Sequence, residues 1–180
     1  MMKKFFSFTI LIVMLVCLVT SFVSCGEENE NGVQGSHLDT QYAHINIENY
    51  GTIVVELCAD QAPETVENFV HLAESGFYDG LTFHRIIEDF MMQGGCPKGN
   101  GTGGSGTNIK GEFSKNGVNN TISHTRGVIS MARGGGIPEE DYYNTGSCQF
   151  FIVHKDSPHL DGQYAAFGHV ISGMEIVDKI

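Results

Sequence analysis

The 180 residues of this chain allow one domain with a full hydrophobic core and leave little for a second. With 41% hydrophobic and 17% charged residues the composition is globular and excludes disorder, and 23 glycines against 4 prolines point to many tight turns and a β-rich fold. A formal net charge of -11, with no dense basic cluster, excludes nucleic-acid phosphates as a partner.

The N-terminal residues read as an export leader. Lys3 and Lys4 form a positive start, residues 10–19 are an unbroken apolar run, and Thr20, Ser21 and Ser24 close it with smaller, more polar side chains. Phe22-Val23-Ser24-Cys25 resembles the lipobox of bacterial lipoproteins, in which a small residue precedes a cysteine that is lipidated; Phe22 stands where Leu is usual. The expectation is a signal peptide over residues 1–24, lipid on Cys25, and a flexible linker over residues 25–41 ahead of a domain at 42–180. An uncleaved anchor and plain secretion are the alternatives, and all three put the domain outside the cytoplasm. Gly26 after Cys25, in place of the Asp that retains some lipoproteins at the inner membrane, favours the outer membrane. Cleavage leaves eight basic against 21 acidic residues, so the exported chain is more acidic still. Residues 26–36, GEENENGVQGS, have no apolar period and read as a solvated tether.

Residues 42–48 alternate as YAHINIE, Asn49-Tyr50-Gly51 punctuates, and residues 52–58 resume as TIVVELC, which predicts a β-hairpin. Asp60, Pro63 and Glu64 supply helix-start signals, and Val66, Phe69, Val70 and Ala73 recur at helical spacing before Gly76, which predicts a helix over 63–75. Residues 81–87 and 90–93 read as short strands, and the glycine-rich stretch 99–106 as a loop. Gly101, Gly103 and Gly106 trace a loose GxGxxG, but no strand-to-helix context surrounds it, so it is no dinucleotide fingerprint. Residues 127–132, 149–153 and 164–170 are further strands, with the polar stretch 133–147 as an exposed loop. One helix among many short strands favours a small closed barrel over a βαβ sheet.

Once Cys17 leaves with the leader and Cys25 carries lipid, Cys58, Cys96 and Cys148 remain. Their wide spacing contains no CxxC, so neither a zinc site nor a dithiol motif is indicated; buried free thiols are the plain reading, with one disulfide permitted. The eight histidines show no HExxH, and Ser147 lacks a G-x-S-x-G elbow, so neither a metalloenzyme nor a serine hydrolase is indicated, and no metal or cofactor is expected.

The segment 83–95, FHRIIEDFMMQGG, closely resembles the cyclophilin signature. Gly101-Thr102-Gly103-Gly104, Ser130-Met131-Ala132, the run SCQFFI at 147–152, Leu160-Asp161-Gly162 and Phe167-Gly168 follow in the family's order, so the similarity covers residues 42–180. The resemblance implies a mainly β fold: a closed, antiparallel, eight-stranded barrel with capping helices and a peptide groove on its outer face. It also implies peptidyl-prolyl cis-trans isomerase activity on proline-containing polypeptides. By position in the matched motifs, Arg85 corresponds to the catalytic arginine and Gln93 to the glutamine that binds substrate backbone. Phe90, Met91, Phe151 and Leu160 match the proline pocket; Ala132, Arg133 and Gln149 fall along the peptide's approach; and Tyr164 falls where many members have His. His159 stands where the best-known eukaryotic members carry a tryptophan that helps bind cyclosporin, so weak or no cyclosporin binding is expected. Arg133 replaces a common Asn, and the loop over 134–144 is longer than in compact members.

Residues 173–180 look like the start of a helix that family members complete and follow with a closing strand, so the expectation is a barrel that lacks that strand in this chain. Two rivals to the enzyme reading are a non-catalytic proline-peptide-binding or holdase module and a surface adhesion lipoprotein that uses the barrel as a scaffold. His84 adjoins Arg85 and, on a strand, points to the opposite face, which reads as structural.

Overall fold

The computed structural model describes residues 5–10 and 41–180. Its elements are β1 (Phe5–Ile10), β2 (Gln41–Ile47), β3 (Gly51–Leu57), α1 (Pro63–Glu74), β4 (Arg85–Ile87), β5 (Met91–Gly94), β6 (Val128–Met131), β7 (Phe150–Val153), β8 (Ala165–Ser172) and α2 (Met174–Val177). The strands form one antiparallel sheet in the order β1-β2-β3-β8-β6-β7-β5-β4. Among the described residues no ladder joins β1 to β4. The expected closed barrel is therefore present as a curled half-barrel of β2 to β8, short of a closing strand, with the backbone of β1 added along β2. Of the expected leader, residues 5–10 are this edge strand; Cys25 and the tether at 26–36 lie outside the described residues.

Alternation along the strands builds two apolar layers. On the inner face Ala43, Ile45 and Ile47 of β2 and Ile53, Val55 and Leu57 of β3 meet Ile129, Phe150, Ile152 and Phe167. The helix α1 covers this face with Val66, Phe69 and Ala73, and Phe69 meets Tyr78, Phe150 and Phe167 at ring separations of 5.4, 5.4 and 5.1 Å. On the outer face the intervening residues Met91, Val128, Phe151, Val153 and Ala166 form a second cluster with Leu160. Both layers cover the sheet, so β6 and β7 are buried along their whole length and carry apolar runs, broken by Ser130 in β6, rather than polar alternation.

The predicted hairpin and helix match β2, β3 and α1 closely. The strand expected over 81–87 begins only at Arg85; the segment before it delivers Phe83 into the core against Phe150 and keeps only isolated lateral contacts, a bridge at Thr82 and the His84 N–H. His84 precedes the strand, and its backbone N–H donates to the Gln93 carbonyl at 3.1 Å.

The helix α1 starts at Pro63 with no side-chain cap of its own. A distant carboxylate does that work. The buried Glu112 accepts the backbone N–H groups of Glu64 (3.1 Å) and Thr65 (2.7 Å) and the Thr65 hydroxyl (2.7 Å), which satisfies orphan donors at the positive end of the helix. Replacing Glu112 with Ala leaves those donors buried and unpaired, and the expected loss is about 3 kcal/mol of stability, read from urea unfolding.

Candidate active site

The antiparallel pairing of β4 with β5 sets Arg85 opposite Gln93, and the pairing of β5 with β7 sets Gln93 opposite Phe151. Three side chains on three neighbouring strands thus stand side by side on the outer face. Met91 lies two residues before Gln93 and therefore on the same face, with its side chain in the outer apolar cluster. The Arg85 Nη1 donates to Gln93 Oε1 at 3.5 Å and approaches Met91 Sδ at 3.8 Å.

A cavity of about 210 Å³ opens here, lined by Arg85, Phe90, Met91, Gln93, Ala132, Arg133, Phe151, Leu160 and Tyr164. Its floor is apolar and its rim polar: Met91, Phe151 and Leu160 are buried, while Arg85 is exposed to solvent. Nine of the residues singled out from the sequence meet in this one cavity. Two do not line it. His159 is exposed and packs its ring on Phe90 at 5.5 Å, forming an outer shoulder. Gln149 lines an adjoining hollow with Gly101, Thr102 and Gly103. Its Nε2 donates to the carbonyls of Gly101 (2.9 Å) and Gly103 (2.7 Å), and its Oε1 accepts from Gln93 Nε2 at 2.9 Å. Both polar atoms of the Gln149 side chain thereby hold Gln93 to the glycine-rich loop.

Arg133 also faces inward more than its charge suggests. Its Nε donates to the Gln163 carbonyl at 3.0 Å and its Nη2 to Glu139 at 2.7 Å, and the guanidinium lies 4.6 Å from the Tyr164 ring centre. Tyr164 in turn meets Phe151 edge-on at 5.7 Å. The pair ties the loop after β6 to the pocket wall.

Behind Phe151 lies a polar relay that the sequence reasoning did not single out. The fully buried His124 takes Asp161 on Nδ1 at 2.9 Å and Ser130 on Nε2 at 3.0 Å, and its ring stacks on Phe151 at 6.1 Å and 18°. The His124 N–H donates to the same Asp161 oxygen at 2.7 Å. Ser130 and Asp161 fall inside the matched motif blocks, but nothing in their spacing indicates that a histidine bridges them. Burial lowers His124 below its ordinary value, more strongly than Asp161 raises it, so the ring is neutral. Burial pushes the Asp161 carboxyl up, yet the hydrogen bonds from His124 outweigh it and the group titrates below the usual carboxylate range. His84 is also lowered by burial, and neither ring nitrogen has a hydrogen-bond partner among the described residues.

A ring-sized apolar slot with a guanidinium at its lip and amide groups beyond has the shape and polarity to hold an apolar peptide side chain. The family model described as "Cyclophilin type peptidyl-prolyl cis-trans isomerase/CLD" matches residues 42–180. A peptidyl-prolyl cis-trans isomerase of Helicobacter pylori (strain ATCC 700392 / 26695) is 48% identical over 143 residues, 78% of this chain and 80% of that protein. Peptidyl-prolyl cis-trans isomerase B of Bacillus subtilis (strain 168) is 49% identical over 134 residues, 74% of this chain and 86% of that protein. A crystal structure of a Cryptosporidium parvum cyclophilin-type isomerase superposes with a TM-score of 0.68 at 35% identity, covering 78% of this chain and 83% of that one. The same Cryptosporidium protein in the presence of the dipeptide Ala-Pro gives a TM-score of 0.63 at 35% identity, over 73% and 79% of the two chains. The chain belongs to the cyclophilin family and is a peptidyl-prolyl cis-trans isomerase acting on proline-containing peptides.

The relay makes stability depend on pH with a definite sign. Below the ordinary histidine value of about 6.5 the unfolded chain binds a proton that folded His124 resists, so its contribution is whole above that pH and falls as pH drops toward the lower folded value. Asp161 acts in the same sense at more acid pH, its contribution fading as pH falls through its own lowered value. Urea-unfolding free energy is therefore expected to decline between about pH 7.5 and about pH 5, and His124→Gln to flatten that slope while leaving the part due to His84.

Proposed function

We propose that Arg85 lowers the rotation barrier of a prolyl bond whose ring sits in the slot formed by Phe90, Met91, Phe151 and Leu160. An X-Pro bond turns slowly because amide resonance gives its C–N bond partial double-bond character, with a barrier of about 18–20 kcal/mol. At the twisted midpoint the nitrogen becomes pyramidal and its lone pair localises. The Arg85 guanidinium donates a hydrogen bond to that lone pair, an interaction nearly absent in either planar form, so it stabilises the transition state and not the bound peptide. Proton transfer and bond making have no part in the step. Arginine suits the task because it stays charged at any working pH and offers a planar fork of donors, which Gln93 helps to orient from 3.5 Å.

One charge-assisted hydrogen bond contributes roughly 1.5–3 kcal/mol, or about one to two powers of ten in rate. The remainder comes from position: the slot clamps the ring, and Gln93 with nearby backbone groups fixes the peptide on one side of the bond while the other side turns. The single observation that supports this reading is the shared cavity of Arg85, Gln93, Met91, Phe151 and Leu160.

The setting of this activity follows from the leader. Residues 1–24 read as a lipoprotein signal and Cys25 as the lipidated residue, so the enzyme works on exported polypeptides in the cell envelope, held by lipid to the outer membrane. Removal of the leader takes β1 with it and returns β2 to the edge of the sheet. His159, an exposed imidazole on the shoulder of the slot, offers a cyclosporin-like macrocycle less apolar surface than an indole would, and weak inhibition follows.

Arg85→Ala is expected to lower kcat/KM on an X-Pro peptide by between about ten- and a hundredfold with unfolding free energy unchanged, because the side chain is exposed. Unaltered activity would remove Arg85 from the mechanism and favour a binding module. Palmitate labelling with membrane fractionation checks the anchor: label lost in Cys25→Ala, with release of the protein to the soluble fraction, is the expected result. Nanomolar inhibition of the pure domain by cyclosporin would contradict the reading of His159.

A further inference from the structure

Two buried thiols lie beside the groove and take no part in the chemistry above. The ladder of β5 with β7 ends with Gly94 opposite Phe150, which leaves Cys96 and Cys148 each two residues beyond that last pair on neighbouring segments. The backbones stay in touch past the last ladder pair: Gly95, at φ 80°, lies so close to β7 that a Cβ there would run into the Cys148 carbonyl. Residues directly opposed in an antiparallel pair have Cα atoms about 4.5–5.5 Å apart, inside the range of about 4.4–6.8 Å that a disulfide spans. Both cysteines are wholly buried free thiols, and charge on Cys96 acts on Cys148. The third thiol, Cys58, follows β3 on another part of the sheet.

The two thiols are built differently. The loop after β5 wraps Cys96, whose Sγ accepts the Gly103 N–H at 3.3 Å. Burial pushes that thiol up, but the backbone amides of Asn100, Gly103, Lys98 and Gly101 together outweigh it and hold Cys96 below its ordinary value. Around Cys148 the balance is reversed: burial above all, with charge on Cys96, outweighs the hydrogen bonds from Ser147, Ser105 and its own backbone and pushes it up to about 11. An easily ionised sulfur facing a reluctant one is the asymmetry of an attacking and a resolving thiol. What separates Cys96 from solvent is one layer of loop, in which Pro97, Lys98, Asn100, Gly101 and Thr102 are exposed.

We propose that Cys96 and Cys148 form a redox pair that closes a cross-strand disulfide at the expense of an exogenous disulfide, and that the bond acts on the peptide groove through Gln149. The Cys96 thiolate attacks one sulfur of the external disulfide, forming a mixed disulfide and expelling a thiolate. Cys148 gives up its proton to that thiolate and attacks the Cys96 sulfur, which releases the second external thiol. Two protein thiols are oxidised by two electrons, and one external disulfide is reduced to two thiols. Gln149, next to Cys148, is held to the Gly101 and Gly103 carbonyls of the Cys96 loop and to Gln93. A covalent tie between 96 and 148 therefore loads both ends of the link that positions Gln93.

The test treats the reduced full chain with excess oxidised glutathione and follows intact mass, non-reduced peptide maps and isomerisation of an X-Pro peptide. The expected product has lost two hydrogens, retains no glutathione and yields one linked peptide joining Cys96 to Cys148. Its kcat/KM shifts by about threefold or more and returns on reduction with dithiothreitol. Cys148→Ser is expected to retain one glutathione on Cys96 instead; if that variant does not fold, the wild-type map decides alone. Both thiols remaining open to alkylation after oxidant, or a bond or adduct on Cys58 in their place, overturns the pair. A Cys96–Cys148 bond that leaves kcat/KM unchanged overturns its link to the groove.

Discussion

The antiparallel pairing of β5 with β7 is the constraint from which the rest of the molecule follows. It joins Met92 to Ile152 on the inner face and Gln93 to Phe151 on the outer one, so a single register determines both the core and the floor of the slot. A slip of β7 by one residue would send Phe151 into the barrel interior and turn Phe150 and Ile152 out to the groove. Phe150 makes this costly, since it packs edge-on against Phe69, Tyr78 and Phe83. The inner aromatic cluster thus locks the register, and the outer face inherits a slot whose walls cannot drift.

Rigidity of that kind is what a reaction without covalent steps needs. In the proposed mechanism a single guanidinium is too weak to lower an amide barrier by itself, so the protein must supply order in advance of binding. Supports converge on Phe151 from several sides: the His124 ring stacked behind it, the Tyr164 edge beside it, and Met91 of the neighbouring strand in the same cluster. His124 is itself pinned by Asp161 and Ser130, and Tyr164 by Arg133. The buried polar groups of His124 and Arg133 are tolerated because they find partners, which makes them sources of order and not of strain. Arg85 projects, exposed, from the short edge strand β4 at the rim of the slot.

Much of this was legible in the linear chain. Alternating apolar residues specify β2 and β3, helical spacing after Pro63 specifies α1, and the ordered motif blocks identify the family and place Arg85, Gln93, Met91, Phe151 and Leu160 in one site. Those signals are local, or they survive as contiguous blocks, so they do not depend on knowing which strands are neighbours. The pairing order was not legible, and neither were its results. Glu112 caps a helix that begins 49 residues earlier in the chain; Gln149, expected on the peptide's approach, braces Gln93; Arg133 spends its charge on Gln163, Glu139 and an aromatic ring. Cys96 and Cys148 look unrelated in the sequence and come to lie just beyond the same ladder end once β5 and β7 pair. Composition and motif determined what this protein is; only the folded sheet decided which side chains touch, because contacts between distant residues arise from strand register, and register is settled by how the whole core packs.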